Sequence, residues 1–292
     1  MRSAERKGLG ISRRGAMDNR VLLDNLYRVE TKLGSGGSGT VHMAWHMRLQ
    51  KHVAIKEAID ASQDRSQSQR NEFEALENVR SRYLPKIYGF VSEDKNSFTV
   101  MEYIEGENFG SLLRRGCRFT CSETMKWYSQ LVSALGALHR QNICHRDIKP
   151  SNIMLKPDGD LCLIDFDSAL VNGKATNSVS RSIGYASPEQ YELYELVERS
   201  CRRKPNHAID DAVRSIDWKR SDIYSLGATI YHLLTGERPH ERAAEVIPIK
   251  KLDCYDKQIV RIIEKSMRQK PSERYGSATE LGKAIARARR LC

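Results

Sequence analysis

Residues 144–155 read C-H-R-D-I-K-P-S-N-I-M-L. Three polar side chains, Asp147, Lys149 and Asn152, sit at fixed spacing in an apolar frame of Ile148, Ile153, Met154 and Leu155. A surface loop has no use for that frame, and a core strand would not tolerate those polar groups unpaired. The spacing suits a general base at Asp147, a cation beside it at Lys149 and a carboxamide ligand for a hard cation at Asn152. Ten residues past Leu155, L-I-D-F-D places Asp165 at the end of a strand, where its carboxylate could share an ion such as Mg2+ with Asn152.

Upstream, residues 33–41 read L-G-S-G-G-S-G-T-V, and Gly34, Gly36 and Gly39 fit G-x-G-x-x-G. Glycines let backbone N–H groups approach phosphate oxygens without a Cβ in the way. A glycine-rich hairpin turn explains the run equally well when it is taken alone. Val41 to Ala44 reads as a second strand and not a helix, so the glycines cap a hairpin. That makes a lid over phosphates, not a helix N-terminus beneath them. Lys56 ends the apolar strand V-A-I-K, seventeen residues after Gly39. A lone strand lysine is usually just solvated; with the lid it becomes a candidate to hold phosphate charge. It needs an acid to position it. The stretch 64–79, with Phe73, Leu76 and Val79 at helical spacing, offers Glu72 or Glu74. Glu72, four residues from Leu76, is preferred.

The wider texture divides in two. Strands are expected near 27–29, 41–44, 52–57, 87–90 and 97–103, and helices over 123–141, 221–235, 255–267 and 277–290. A small strand-rich half thus precedes a larger helical half, an α+β arrangement with a hinge near residues 102–107. Of the +11 net charge, residues 1–20 carry six Arg/Lys against two Asp/Glu, and residues 265–292 carry eight against two. The basicity therefore belongs to the ends and not to a central groove, so no specific nucleic-acid partner is expected. Residues 1–20 read as a basic, disordered extension, without the apolar core of a secretion signal. No apolar run reaches the roughly 18 residues that would span a bilayer. Seven scattered cysteines, with no C-x-x-C pair, argue for free thiols in a reducing, cytoplasmic setting.

With these motifs in order, followed by S-P-E-Q at 187–190 and S-D-I-Y-S-L-G at 221–227, the chain resembles the eukaryotic-type protein kinase family over roughly residues 27–290. Within it, G-Y-A-S-P-E-Q-Y and Lys149 look most like bacterial serine/threonine kinases. The resemblance implies a two-lobed fold: an antiparallel-sheet N-lobe with one helix (21–103) and a mainly helical C-lobe (104–292). It implies ATP with Mg2+, or Mn2+ as the alternative, and protein substrates bearing Ser/Thr hydroxyls. By resemblance, Gly34, Gly36 and Gly39 cover the ATP phosphates, Lys56 holds the α/β-phosphates and Glu72 orients Lys56. Leu33, Val41, Ala54 and Met154 contact the nucleotide base, Met101 is the gatekeeper, and the backbone of Glu102 to Ile104 meets the adenine. Asp147 accepts or orients the substrate hydroxyl, Lys149 steadies the γ-phosphate, and Asn152 and Asp165 bind the metal. Leu76, Ile87, His145 and Phe166 would stack between the lobes. Asp222 would hold the catalytic-loop backbone, and Glu189 and Arg274 would form a buried ion pair.

Three departures stand out. The family's D-F-G is D-F-D here, A-P-E is S-P-E, and Glu189 and Asp222 are 33 residues apart. That last connection is roughly twenty residues longer than usual. The extra segment, 191–217, reads as a docking element for a partner or as a tolerated surface insertion. Asp167 adds a second carboxylate beside Asp165; at about 6 Å and an effective dielectric near 20, the two repel by roughly 2–3 kcal/mol. Asp167 is therefore expected to face solvent or a cation, in an active but metal-dependent enzyme. A pseudokinase or nucleotide-binding scaffold is the alternative. Arg146, next to the base, suggests a phosphorylated activation segment with Thr176, Ser178 and Ser180 as acceptors, modified by the chain itself; Ser182 matches a family threonine that touches the catalytic loop.

Overall fold

The computed structural model describes residues 21–22, 26–36, 39–58, 73–74, 76–93, 96–175, 181–200, 207–240 and 255–288. Glu72, Thr176, Ser178, Ser180 and the extension 1–20 lie outside the described residues.

The first half builds one antiparallel sheet in the order β1-β2-β3-β4-β6-β5. Its strands are β1 (Val21–Leu22), β2 (Tyr27–Gly36), β3 (Gly39–His46), β4 (Lys51–Ala58), β5 (Ile87–Glu93) and β6 (Asn96–Glu102). Period-2 alternation assigns the two faces. Tyr27, Ala44, Val53, Ile55, Phe98 and Val100 form a small core on one side. The opposite face carries Val41, Met43, Ala54, Lys56 and Met101, which the register sets side by side: Val41 opposite Lys56, and both Met43 and Met101 opposite Ala54. Among the described residues of this half, Phe73, Glu74, Leu76 and Glu77 are helical, as the 64–79 periodicity predicts.

The second half is mainly helical: α1 (Phe109–Arg114), α2 (Cys121–Arg140), α3 (Pro188–Ser200), α4 (His207–Ser215), α5 (Trp218–Thr235), α6 (Lys257–Ser266) and α7 (Ala278–Ala288). Thr120 opens α2 with a capping box: its hydroxyl accepts from the Glu123 N–H, and the Glu123 carboxylate accepts from the Thr120 N–H. The predicted stripe Trp127, Leu131, Leu135 and Leu138 is buried. Helix α5 is apolar on nearly every side and buried along its length, which makes it the central helix of this half. Asp217 caps its start, and Gly236 closes it at φ 74°, a left-handed position that a side chain would strain. One large core joins α2, α5, α6 and α7 and reaches up to Leu76, Leu84 and Phe166. No helix among the described residues is long and apolar enough to cross a membrane.

Two short strand pairs set the geometry of the loops between the halves. Strand β9 (Ile153–Leu155) pairs antiparallel with β10 (Leu161–Leu163), and β8 (Ile143–Cys144) pairs antiparallel with β11 (Leu170–Val171). The segments 145–152 and 164–169 are therefore two loops, each tied at both ends to the other. The apolar frame around Asp147 is the flanking strand material that ties them.

The described residues of segment 191–217 pack inward in part. Leu193 of α3, with Ala212, Val213 and Ile216 at the far end, packs on Leu170, Cys144 and Trp218. Leu193 of α3 and Ala212 and Val213 of α4 form the packed side of these helices.

Candidate active site

Loop 145–152 holds its polar groups against one another. Asp147 accepts a hydrogen bond from Lys149 Nζ at 2.7 Å and from the Ser182 hydroxyl at 2.6 Å. Asn152 Nδ2 donates to the Asp147 backbone carbonyl at 2.9 Å and to its carboxylate at 3.1 Å. Lys149 Nζ also reaches Ser182 Oγ at 3.0 Å. A carboxylate, an ammonium, a carboxamide and a hydroxyl thus meet at one point, as the spacing of the first three predicts.

The loop is anchored from below by Asp222, which is fully buried on α5. Its carboxylate accepts from the backbone N–H of His145 at 2.9 Å and of Arg146 at 2.8 Å. His139 Nε2 lies 2.9 Å from the same carboxylate. The anchor holds Arg146 at φ 66°, where a side chain is disfavoured. Cys144, His139 and Asp222 cluster closely enough to resemble a metal set. The Asp222 oxygens are already occupied, and burial, with Asp222 beside it, pushes the Cys144 thiol well up, so the cluster is a structural anchor.

The facing loop presents Asp165, also left-handed at φ 67°. Ile164 N–H donates to Asn152 O at 2.8 Å, so the two candidate metal ligands stand on directly bonded backbones. Oxygen donors from a carboxylate and a carboxamide suit a hard divalent cation, and Asp165 is 39% exposed on its side chain. Phe166 packs in a tilted arrangement against His145 with ring centroids 5.1 Å apart, in the inter-lobe core that also takes in Leu76 and Ile87.

Lys56 reaches this loop from the sheet. Its ammonium lies 3.8 Å from Asp165 Oδ1 and contacts Asp167 Oδ1 directly. Asp167 thus does meet a cation, and that cation is Lys56. Above it, Gly34, Gly36 and Gly39 lie in the β2–β3 hairpin, with Gly34 opposite Val41 and Gly36 opposite Gly39. Gly39 is required: at φ 144° a Cβ would meet the Glu57 carbonyl oxygen at 2.2 Å. Leu33 is exposed, and Val41, Met101, Glu102, Ile104 and Met154 are half-buried. Glu102 ties the sheet to the 84–86 turn through its own N–H and its carboxylate. The sheet face that bears Lys56 therefore meets the D-F-D turn.

The protein kinase domain family matches residues 27–288. The chain belongs to the protein kinase family. The kinase domain is 29% identical over 282 residues to the serine/threonine-protein kinase PknL of Mycobacterium tuberculosis, covering 89% of this chain and 65% of that one. It is 28% identical over 274 residues to PrkC of Bacillus subtilis, covering 87% and 39%, and 27% identical over 285 residues to PknB of Mycobacterium tuberculosis, covering 91% and 43%. The chain thus spans between about two-fifths and two-thirds of the length of these curated relatives. Membership carries a two-lobed fold, ATP and a divalent metal.

Glu189 and Arg274 form the expected pair, bidentate at 2.6 and 2.8 Å, with the Arg274 side chain fully buried. Two features escaped sequence reasoning. His139 partners Asp222; its only sequence signal is a polar residue on the buried side of a helix end. Arg146 lies over the Trp218 ring at 4.4 Å from its centroid. It is 4% exposed, and among the described residues its Nε and Nη1 have no hydrogen-bond partner. Burial lowers its pKa, partly offset by Asp222.

Proposed function

We propose that this kinase domain transfers the γ-phosphoryl group of ATP to Ser/Thr hydroxyls of protein substrates, in the cytoplasm, with residues 21–103 and 104–292 as its lobes. The observation that carries the reading is the convergence of Asp147, Lys149 and Asn152 on one loop, tied to the loop that brings Asp165 to Lys56. Phosphoryl transfer asks for positioning and charge neutralisation more than covalent work by the protein. Asp147 orients the substrate hydroxyl and accepts its proton as the O–P bond forms. Lys149 neutralises the γ-phosphoryl oxygens from the same side, and Ser182 keeps the pair together. Lys56 holds the α/β-phosphates, with Glu72 as its positioning acid, while Gly34, Gly36 and Gly39 let backbone N–H groups close over them. Val41, Ala54, Met101 and Met154, with Leu33 at the rim, hold the base beside the backbone of Glu102 to Ile104. Asn152 and Asp165 would hold Mg2+, which would supply positive charge against the phosphates.

The activation segment is the first substrate in this reading. Arg146 is a buried guanidinium over the Trp218 ring, and among the described residues its Nε and Nη1 have no hydrogen-bond partner. A phosphate on Thr176, Ser178 or Ser180 would add about −1.5 to −2 charge for it to pair with. The acceptor selectivity of PknL, PrkC and PknB, named serine/threonine kinases, supports the same chemistry here. The outward faces of α3 and α4 supply a docking surface for a protein partner in this reading.

Labelled ATP with Mg2+ tests the proposal, comparing wild type with Asp147→Asn and mapping the label by mass spectrometry. Wild type should label protein Ser/Thr, including residues 172–181. Asp147→Asn should lower kcat by about 10²–10⁴ while ADP binding survives. No label in either protein would favour a nucleotide-binding scaffold, and an equal loss of ADP affinity would make Asp147 structural.

A further inference from the structure

The D-F-D turn places two carboxylates at one lysine. Asp167 contacts the Lys56 ammonium directly, and Asp165 stands 3.8 Å from it. The Lys56 side chain is only 17% exposed, so the pair is partly withdrawn from water, where charge interactions are stronger than at an open surface. If the domain is a kinase of the kind proposed, this ammonium is the group that must receive the nucleotide phosphates. An anionic phosphate arriving alone would have to compete with a carboxylate already in place. A divalent cation changes that competition. The Asp167 N–H donates to Asp165 Oδ1 at 3.4 Å, so the two side chains belong to one tight turn. The carboxylates are 39% and 25% exposed, so a cation arriving from the cleft can reach both.

We propose that Asp167 is a specificity-determining residue that makes the cleft select the metal–nucleotide complex over free nucleotide, by occupying Lys56 until a divalent cation draws its carboxylate away. Glycine at this position would remove the carboxylate in direct contact with Lys56, with or without metal. Aspartate couples lysine availability to metal arrival. The coupling acts on binding, before any transfer, and is separable from Asp147.

Calorimetric titration of ADP, with Mg2+ and with a chelator, tests the proposal on wild type, Asp167→Asn, Asp167→Gly, Lys56→Met and the Lys56→Met/Asp167→Asn double variant, each confirmed folded by circular dichroism. Asp167→Asn and Asp167→Gly should tighten metal-free ADP by about tenfold and change ADP with Mg2+ by about threefold or less. In the Lys56→Met background, the metal-free gain from Asp167→Asn should fall below about threefold, because the contact it releases no longer exists. Equal gains with and without Mg2+, or a gain that persists without Lys56, would reduce Asp167 to plain repulsion and overturn the proposal. An unchanged metal-free affinity in both Asp167 variants would overturn it as well. In those cases wild type still binds ADP with Mg2+, so the kinase reading stands. Folded wild type that binds ADP under neither condition overturns both.

Discussion

Removing the Asp222 carboxylate should unfasten the catalytic loop. In Asp222→Ala, three donors lose their acceptor at once: the N–H groups of His145 and Arg146, and His139 Nε2, all within 2.8–2.9 Å. Asp222 and His145 are fully buried and His139 and Arg146 are 7% and 4% exposed, so water cannot readily replace the lost oxygens. A buried donor left unsatisfied costs about 1–3 kcal/mol. With some relaxation of the loop, the total should be about 3–5 kcal/mol. For a chain of this size that lowers Tm by roughly 5–8 °C. Asp222→Asn keeps one carbonyl oxygen for three donors and should fall between wild type and Asp222→Ala.

Activity should fall further than stability. Arg146 holds its left-handed conformation, a state that costs a non-glycine residue about 1–3 kcal/mol, because Asp222 fixes its N–H. Freed of that bond, the backbone would relax and carry Asp147, the next residue, out of line. A displacement on the order of 1 Å costs about 10²-fold in rate. Thermal unfolding by circular dichroism, with kcat measured well below the lowered Tm, separates the two effects. His139→Leu removes one donor without touching the loop backbone and should cost less on both counts. An Asp222→Ala variant that loses under about 1 kcal/mol, or keeps full kcat, would refute the anchor.

Two more outcomes rest on buried charge. Glu189→Gln strands the fully buried Arg274 guanidinium and should cost about 3–5 kcal/mol in urea unfolding, while the double variant Glu189→Leu/Arg274→Met should cost less than the sum of its single changes. His232 is held down to about pH 4 by burial and by Arg238 and Arg118, with its Nδ1 2.6 Å from the Tyr185 hydroxyl. Folding favours its neutral form, so its contribution is complete above the ordinary histidine pKa near 6.5 and is lost as pH falls towards 4. Subtracting the pH–stability curve of His232→Gln from that of wild type should show that loss between those values, and a flat difference would remove His232 as its source.

Much of the cleft was legible because each motif breaks a local rule. Asp147, Lys149 and Asn152 interrupt an apolar run, Gly39 stands where a Cβ collides with Glu57, and Lys56 follows the apolar Val53, Ala54 and Ile55 on one strand. Such violations are informative within a few residues of sequence. The contacts that were not legible are those between segments distant in sequence. The partner of Asp167 was expected to be solvent or a cation; its identity as Lys56 depends on how the sheet sits over the D-F-D turn. The inward packing of 191–217 rests on Leu193, Ala212, Val213 and Ile216 meeting Cys144, Leu170 and Trp218, partners that spacing within α3 and α4 does not name. Trp218 reads as an ordinary helix-start residue until Arg146 lies against it.

The twin-loop arrangement explains why motif order carries so much of the site. Strand β8 leads into the catalytic loop and β9 leaves it; β10 leads into the D-F-D turn and β11 leaves it. Because β9 pairs with β10 and β8 with β11, both antiparallel, the two loops must lie side by side, with Asn152 and Asp165 at adjacent points. Any shift of one loop has to be matched at both ends by the other, and Asp222 pins only the first. Helix α4 and Trp218 close on Cys144 and Leu170, the β8–β11 end of this frame, while β7 (Glu107–Asn108) pairs with β9 at the other. The additional segment therefore braces the half of the frame from which the activation segment departs. A change in the packing of Ala212, Val213 and Ile216 would reach Arg146 through Trp218 before it reached Asp147.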